Sequence, residues 1–327
     1  MNGERELLQR LQAGPATGDA LAAASGLTRA AIWKRIEALR QAGIGIDAQP
    51  GRGYALAQPL DWLDADAILV ALDPAQRARL AGLDVAWVLD STNSELLRRD
   101  TPTSGCAVLL AECQTGGRGR RGRSWASPLA AHLYLSLARQ FSGGLARLGG
   151  LSLAAGIAVA EALHDCGFGQ VRLKWPNDLV VGNRKLGGLL VEGGGNAVLS
   201  CTADPVRAVI GIGVNVRMPA AFAAAIDQPW LDLQALSARP PSRNALAAAL
   251  LSKLLPALED FDAQGLAPFL PRYAALDALA GREIDVHVGD GVRHGIAVGI
   301  AEDGALRVRF DDGERRIHAG EVSVRAT

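Results

Sequence analysis

Between Gln114 and Trp125 the chain reads Gln-Thr-Gly-Gly-Arg-Gly-Arg-Arg-Gly-Arg-Ser-Trp, so glycine alternates with arginine over one short stretch. Glycine frees the backbone for dihedrals closed to other residues, and each guanidinium brings a permanent charge on a planar fork of donors. Such forks match phosphate oxygens with paired hydrogen bonds. The composition predicts an active-site loop that has little reason to pack and that orders over an anionic ligand. Three other segments are polar where a plain fold would be apolar: Ser91-Thr92-Asn93, Lys174-Trp175-Pro176-Asn177-Asp178 and Lys185-Leu186-Gly187-Gly188. The chemistry they suggest is electrostatic, with Arg and Lys around a phosphate and Asp near a cation or an amine.

Other chemistries fit less well. Gly117, Gly119 and Gly122 satisfy the literal spacing of a dinucleotide loop, but Pro128 stands where a helix should propagate. No acidic residue follows about 20 positions on, as that fold would want. The absence of a Gly-Lys-Ser/Thr ending excludes a Walker-type phosphate loop. A disordered basic linker is the bland alternative; against it, the loop lies between the strand-like runs Ala107–Ala111 and His132–Ala138. His132, His164, His287, His294 and His318 form no Ser/His/Asp arrangement, and no metal-ligand spacing occurs.

With 327 residues, 49% of them hydrophobic, the chain can bury a large core and form two or three domains. Its net charge of +0 advertises neither nucleic acid nor membrane, so any basic surface is local. No apolar run approaches the ~20 residues of a membrane-spanning helix, and no signal-peptide pattern opens the sequence. Cys106, Cys113, Cys166 and Cys201 are scattered; Cys106 and Cys201 read as small core residues. The expected compartment is the cytoplasm, with reduced thiols.

At the N-terminus, Leu7, Leu8 and Leu11 stripe a first helix, and Gly18–Ala24 makes a short second one. Ser25-Gly26-Leu27 turns the chain, and Thr28 caps a helix to about Ala42 with Ile32, Ile36 and Leu39 on one face. Ile44–Ala48, the turn Pro50-Gly51-Arg52-Gly53 and Tyr54–Leu56 read as a hairpin, completing a winged helix-turn-helix. Arg29, Trp33, Lys34, Arg35 and Arg40 project from the other helix surfaces, and Arg52 tips the wing, an excess of positive charge suited to DNA phosphates. A solvated face or a protein-docking module is the plainer reading. Trp33 either packs inward or meets a thymine methyl.

A linker from Leu60 merges into a short helix that begins near Asp61 and stops before Pro74. Strands are expected at Val85–Leu89, Val171–Trp175, Asp178–Val181, Arg184–Glu192 and Val206–Val216, with Gly182-Asn183 as a hairpin turn. Leu148–Asp165 is a buried helix, and Ser242–Gln264 an amphipathic one kinked or broken by Pro256. From Gly281 the apolar period becomes two, separated by Gly289-Asp290-Gly291, Glu302-Asp303-Gly304 and Asp311-Asp312-Gly313, which predicts a small SH3-like β-barrel docked on the middle domain.

These segments, taken in order, resemble the biotin protein ligases. The pattern is Ser-Thr-Asn, Gln-x-x-Gly-Arg-Gly-Arg-x-Gly-Arg-x-Trp, Lys-Trp-Pro-Asn-Asp, Arg-Lys-x-Gly-Gly and Gly-x-Gly-x-Asn. Thr28 to Arg40 and Pro50-Gly51-Arg52-Gly53-Tyr54 resemble the bifunctional subgroup, whose members are both ligase and biotin operon repressor. The resemblance implies an α+β multidomain chain. A winged helix-turn-helix spans residues 1–62, a central α/β ligase domain with a mixed sheet 63–277, and the SH3-like barrel 278–327.

It also implies a two-step reaction. ATP and biotin give biotinyl-5′-adenylate, and a lysine of the biotin carboxyl carrier protein then takes the biotin. By matching positions, Ser91, Thr92, Asn93 and Gln114 line the biotin pocket, with Arg118, Gly119 and Arg120 in the loop over it. Lys185 stands between biotin carboxylate and α-phosphate; Arg118, Arg120, Lys185 and Asp178 form the catalytic set. Arg123, Asn177, Asp178, Asn215 and Trp230 fall on the nucleotide side, with Asp178 also toward Mg2+ or the attacking amine. Thr28, Arg29, Trp33, Lys34, Arg35 and Arg52 are the DNA-facing set, and operator DNA and a ligand-dependent homodimer are the further partners. Each residue has a bland counterpart: Ser91-Thr92-Asn93 as a helix cap, Lys185 as a solvated strand residue, Asp178 as a turn former, Trp230 as a core aromatic.

Two departures bear on repression. Trp33 replaces the smaller polar residues of the family's repressors, and the stretches Glu192–Gly195 and Ala203–Pro205 fall near their pairing surface. The competing readings are a transcription factor that binds the adenylate without transfer, and a lipoate ligase. Intact Arg118, Arg120 and Lys185 argue against the first; the basic loop with Lys-Trp-Pro-Asn-Asp argues against the second.

Overall fold

In the computed structural model, residues 2–144, 148–193, 205–288, 291–319 and 322–326 are described. Cys201, Gly194-Gly195, Ala203-Asp204 and Gly289-Asp290, each part of an expectation above, lie outside them. The N-terminal unit comprises α1 (Asn2–Ala13), α2 (Gly18–Ser25), α3 (Arg29–Gln41) and the hairpin β1 (Ile46–Gln49) and β2 (Gly53–Leu56). Thr17 and Thr28 cap α2 and α3, their hydroxyls accepting from the amides of Ala20 and Ala31 at 3.2 Å. Gly43, at φ 88°, ends α3 in a Schellman turn in which the Ile44 amide donates to Leu39 O. That bond holds Ile44 in the cap, so the strand starts at Ile46 rather than Ile44. Leu7, Leu8, Leu11, Ile32, Ile36 and Leu39 form the core of this unit as expected.

The connection to the middle of the chain is clamped over residues 60–64. Gln12 bonds both the amide and the carbonyl of Leu60. The amide of Leu63 donates to Glu112 Oε1 at 2.6 Å, and Asn244 accepts from the Asp64 amide while donating to Trp62 O, both at 2.9 Å. Arg243 donates to Asp61 O and pairs with Glu112 Oε2 at 2.5 Å, with side-chain exposures of 1% and 3%. Backbone groups used in this way are not free to enter a helix, so α4 begins at Ala65 behind the Asp64 cap, not near Asp61, and ends at Ala71. A second short helix, α5 (Pro74–Ala78), follows where the expected helix stopped.

Next come β3 (Leu80–Leu89), α6 (Thr92–Arg98), β4 (Cys106–Gln114), β5 (Leu133–Phe141) and α7 (Leu151–Asp165). They are followed by β6 (Arg172–Lys174), β7 (Asp178–Val181), β8 (Arg184–Gly193) and β9 (Val206–Val214). The seven strands make one mixed sheet in the order β3-β4-β5-β9-β8-β7-β6, parallel only between β3 and β4. Short helices α8 (Ala220–Ala223) and α9 (Leu233–Leu236) precede α10 (Arg243–Gln264) and α11 (Leu270–Leu276). Alternation along the strands sorts the faces. Leu133, Leu135 and Leu137 of β5 and Ile210, Ile212 and Val214 of β9 pack in the main core with α7 and α10. The intervening residues, including Ser136, Gly211 and Gly213, face the other way. Pro256 neither splits nor ends α10, which runs on through it with Leu254, Leu255, Ala257 and Leu258 all buried.

The C-terminal strands β10 (Glu283–Val288), β11 (Gly291–Ile300), β12 (Leu306–Phe310), β13 (Gly313–Ile317) and β14 (Val322–Ala326) form an antiparallel sheet ordered β13-β12-β11-β10-β14. Among the described residues its outer strands β13 and β14 do not pair with each other. The sheet docks on the middle unit through Trp175 Nε1, which donates to Gly304 O at 3.0 Å.

His132, which sequence left without a partner, is fully buried beside Arg243, and its Nδ1 accepts from the Val216 amide at 3.1 Å. Its Nε2 has no partner among the described residues. Burial drives its pKa down to about 3, with the Arg243 and Arg217 charges adding to the effect. A depressed folded-state pKa means the stability held by neutral His132 is intact above the unfolded value of 6.5 and is lost as pH falls toward 3. His132→Gln is therefore expected to flatten the acid limb of a stability–pH curve, by up to about 1.4 kcal/mol per pH unit below pH 6.5. Urea unfolding at several pH values checks this; an acid limb equally steep in both proteins would contradict it.

Candidate active site

Four elements bring the polar segments together over the sheet face opposite α7 and α10. At the start of α6, Ser91 is the helix cap, its side chain accepting from the Ser94 amide, so the bland role and the site position coincide. Ser91, Thr92 and Asn93 are all buried. The Thr92 amide and hydroxyl reach Gln114 Oε1 at 2.9 and 3.2 Å, while Gln114 Nε2 donates to Ser127 Oγ at 3.1 Å. Ser136 Oγ lies 2.7 Å from Thr92 Oγ1 and 2.6 Å from Asn93 Oδ1. If Thr92 gives its proton to Gln114, one Ser136 proton serves two acceptors. This cluster is rich in acceptors and suits a ligand that brings its own N–H donors.

The two glycines of Gly211-Ile212-Gly213-Val214-Asn215 make the room. A Cβ on Gly211 would stand 2.3 Å from Asn93 Oδ1, and one on Gly213 would stand 2.7 Å from the Trp125 ring. Only hydrogen at these positions lets the sheet underlie both side chains.

The arginine loop is folded, contrary to the expectation that it would have little reason to pack. Gly119 N donates to Arg123 O at 2.7 Å and Trp125 N to Gly117 O at 2.9 Å, with a single 3-10 turn at Arg120–Gly122. Arg121 takes φ 57° in that turn. Arg118 reaches Glu192 Oε1 at 3.3 Å. Arg120 donates to Asn177 Oδ1 at 3.3 Å and to Ala319 O of the C-terminal unit. Burial, with the neighbouring Arg121 charge, lowers the Arg120 pKa from its ordinary value, though a guanidinium stays charged. Arg123 is exposed.

Asn177 and Asp178 lie at the β6–β7 turn, where Asn177 Nδ2 donates to Leu189 O at 2.7 Å. Lys185 is half-buried rather than solvated, with Nζ 2.6 Å from Asp178 Oδ1 and 5.6 Å from the Trp125 ring centroid. Its main chain is fixed on both sides: Lys185 N donates to Pro229 O and Leu231 N to Lys185 O, each at 2.9 Å. Half-buried Trp230 thus neighbours Lys185 through that bridge, and buried Asn215 reaches Leu231 O at 3.1 Å. The expected ligand-site residues lie together in this region, Arg123 through main-chain bonds to Gly119 and Arg120 with its side chain exposed. Sequence reasoning assigned no role to Ser136 or Ser127, gave Trp125 only a place in the loop motif, and set Glu192 near the repressors' pairing surface rather than in the site. A serine inside the apolar run Leu133–Ala138 was the available signal for Ser136.

On α3, Arg29, Trp33 and Lys34 are exposed, Trp33 at 54%. Thr28 uses its hydroxyl for the cap. Arg35 does not project with the others: it is half-buried with its guanidinium against Gly3, where a Cβ would stand 2.3 Å from Nη1. Arg40 likewise folds back, pairing with Glu37 and donating to Ile46 O. Arg52 is exposed at the hairpin tip.

A helix-turn-helix unit, a mixed sheet with this cationic site and a small C-terminal sheet define a class. Residues 85–215 match the biotin/lipoate A/B protein ligase family, residues 4–55 an HTH domain and residues 280–325 the biotin protein ligase C-terminal domain. The chain is 41% identical over 310 residues to the bifunctional ligase/repressor BirA of Escherichia coli (strain K12), covering 95% of this chain and 93% of that protein. It is 33% identical over 240 residues to the biotin–[acetyl-CoA-carboxylase] ligase of Paracoccus denitrificans, covering 71% and 96%. Among solved structures, the biotin protein ligase from Aquifex aeolicus in complex with biotin and ATP superposes with a TM-score of 0.63 at 27% identity, over 76% of this chain and all of that one. The chain belongs to the biotin protein ligase family.

Proposed function

We propose that this chain is an ATP-dependent biotin–[acetyl-CoA-carboxylase] ligase that also acts as a biotin-dependent transcriptional repressor. The observation that carries the ligase half is the convergence of Lys185, Arg118, Arg120 and Asp178 beside the Thr92–Asn93–Gln114 wall. The acceptor-rich wall of Ser91, Thr92, Asn93 and Gln114 takes the polar ring of biotin, and Gly119 lets the loop approach it. Lys185, with Arg118 and Arg120, offsets the repulsion as the biotin carboxylate oxygen attacks the α-phosphorus and pyrophosphate leaves. The amine of a carrier lysine then attacks the acyl carbon of biotinyl-5′-AMP, the C–O bond to phosphate breaks and AMP departs. No enzyme nucleophile is required. Arg123, Asn177, Asn215 and Trp230 hold the nucleotide side.

Among the described residues no group of three or more His, Cys, Asp or Glu could hold a metal ion. Asp178, one oxygen of which pairs with Lys185 at 2.6 Å, would offer its single carboxylate to Mg2+, an ion held mainly by substrate phosphates and water that would supply charge neutralisation there. The biotin carboxyl carrier protein is the acceptor. Incubation with biotin, Mg-ATP and an apo carrier domain should add one biotin mass to the carrier lysine; no gain at saturation would refute the ligase reading.

For the repressor half, Arg29, Trp33, Lys34 and Arg52 are the exposed members of the set that meets operator DNA, while Thr28 orients α3 and Arg35 braces it. Arg52→Ala is expected to weaken binding about equally across DNA sequences and to flatten the salt slope by roughly one unit. A filter-binding or anisotropy titration at several salt concentrations checks this; loss confined to one operator would contradict it. The remaining features of this reading are domains at 1–62, 63–277 and 278–327, closure of the C-terminal sheet as an SH3-like barrel, a ligand-dependent homodimer and a cytoplasmic location. Among the described residues no helix is long and apolar enough to cross a membrane.

A further inference from the structure

Among the described residues, Trp33 is the one aromatic ring in the set of large apolar side chains left exposed; Val70 and Val292 are the others. A lone exposed apolar side chain is ordinary; its neighbours set this one apart. Trp33 lies on the first half of α3 with Arg29, Ala30 and Lys34, all exposed, while Ile32, Ile36 and Leu39 fill the buried side of the helix. Arg29 is one turn from Trp33, and Lys34 one turn from Ala30. The indole and the Ala30 methyl thus make a small apolar spot bordered by two cations, and Arg52 adds a third at the hairpin tip.

Several polar side chains of this helix are engaged within the protein. The Thr28 hydroxyl accepts from the Ala31 amide, Arg35 lies against Gly3, and Arg40 pairs with Glu37 and donates to Ile46 O at 2.8 Å. Phosphates meet cations without regard to sequence, whereas bases are told apart by hydrogen bonds or apolar contact at their edges. In the major groove thymine is the base marked by a methyl group, so an apolar spot discriminates through it. Charge complementarity fits the spot to a duplex. Another protein's apolar face would strip water from Arg29 and Lys34, while DNA offers both of them phosphates.

We propose that Trp33 is a specificity-determining residue of the helix-turn-helix unit: with Ala30 it packs on the C5 methyl of a thymine in the major groove, while Arg29, Lys34 and Arg52 supply charge along the backbone. This rests on the repressor reading and adds to it the base that is read.

The test uses the full chain with biotin and Mg-ATP, and as probe the duplex that the wild-type protein selects from a random-sequence library. Each thymine is replaced in turn by deoxyuridine, which removes the methyl and nothing else. By anisotropy, wild type should lose about 5-fold in affinity at a particular thymine, the low end for one base-pair contact. Trp33→Ala should bind the thymine and deoxyuridine duplexes alike, as weakly as wild type binds the second, with an unchanged salt slope because no charge is lost. Trp33→Phe should recover part of the sensitivity to the methyl. Wild-type binding indifferent to every deoxyuridine, or a sensitivity that persists in Trp33→Ala, would overturn the proposal while leaving the repressor reading in place. A wild-type chain that selects no duplex at all would refute that reading, and this one with it. Dissociation of Trp33→Ala in sedimentation, with the methyl effect kept, would assign the ring to a second copy of the chain and likewise overturn the proposal.

Discussion

Lys185→Ala is expected to slow biotinyl adenylate formation by about 10²-fold or more, the loss typical of removing a preorganised charge-stabilising donor. The magnitude follows from how little Lys185 must rearrange. Its main chain is bridged to Pro229 and Leu231, its ammonium lies against Asp178 and it faces the Trp125 ring. A cation fixed before reaction contributes fully as the carboxylate oxygen meets the α-phosphate. Lys185→Arg should restore charge without the point geometry and recover only part of the rate. Pyrophosphate release in a single turnover, with circular dichroism to confirm folding, checks both variants. An alanine variant turning over at the wild-type rate would remove Lys185 from the mechanism.

The second large effect concerns stability. Glu112 and Arg243 are almost completely buried and ion-paired, and between them they hold Leu63 N, Asp61 O and His132 O. Burial pushes the Glu112 pKa above its ordinary value, opposed by the Arg243 charge. Removing one partner strands the other, so Glu112→Leu and Arg243→Met should each cost about 3–5 kcal/mol. The double variant should cost much less than the sum, since two stranded charges are removed together. Urea unfolding measures all three. Single variants each costing under about 1 kcal/mol would show that the pair is not what the burial implies. The single variants should also loosen residues 60–64 and with them the seat of the helix-turn-helix unit.

That clamp is the part of the protein the sequence concealed most completely. Glu112 and Arg243 are 131 positions apart, and neither periodicity nor a local motif marks a charge that will be buried by a distant strand and helix. The elements themselves were far more legible. Caps such as Thr28 and Ser242, the Gly182-Asn183 turn and the alternation after Gly281 act locally, and each produced the expected helix, hairpin or strand. Boundaries moved where another bond recruited backbone: the local helix cap at Ile44 and the tertiary clamp at residues 61–64.

Within the site, glycine–arginine composition singled out the loop but not its fold, because the acceptors that hold it, Glu192, Asn177 and Ala319, come from three distant strands or turns. Arg35 shows the same limit on α3. Spacing places it near the exposed face, and only packing against Gly3 shows that it turns back.

Lys185, held in place before reaction, with Arg118 and Arg120 beside it, is expected to let a carboxylate join an α-phosphate. Exchange of labelled pyrophosphate into ATP, run with and without biotin and with no carrier present, tests it most directly. The expected result is exchange that depends strictly on biotin and falls with Lys185→Ala. Exchange absent at saturating biotin and Mg-ATP, or indifferent to biotin, would contradict it.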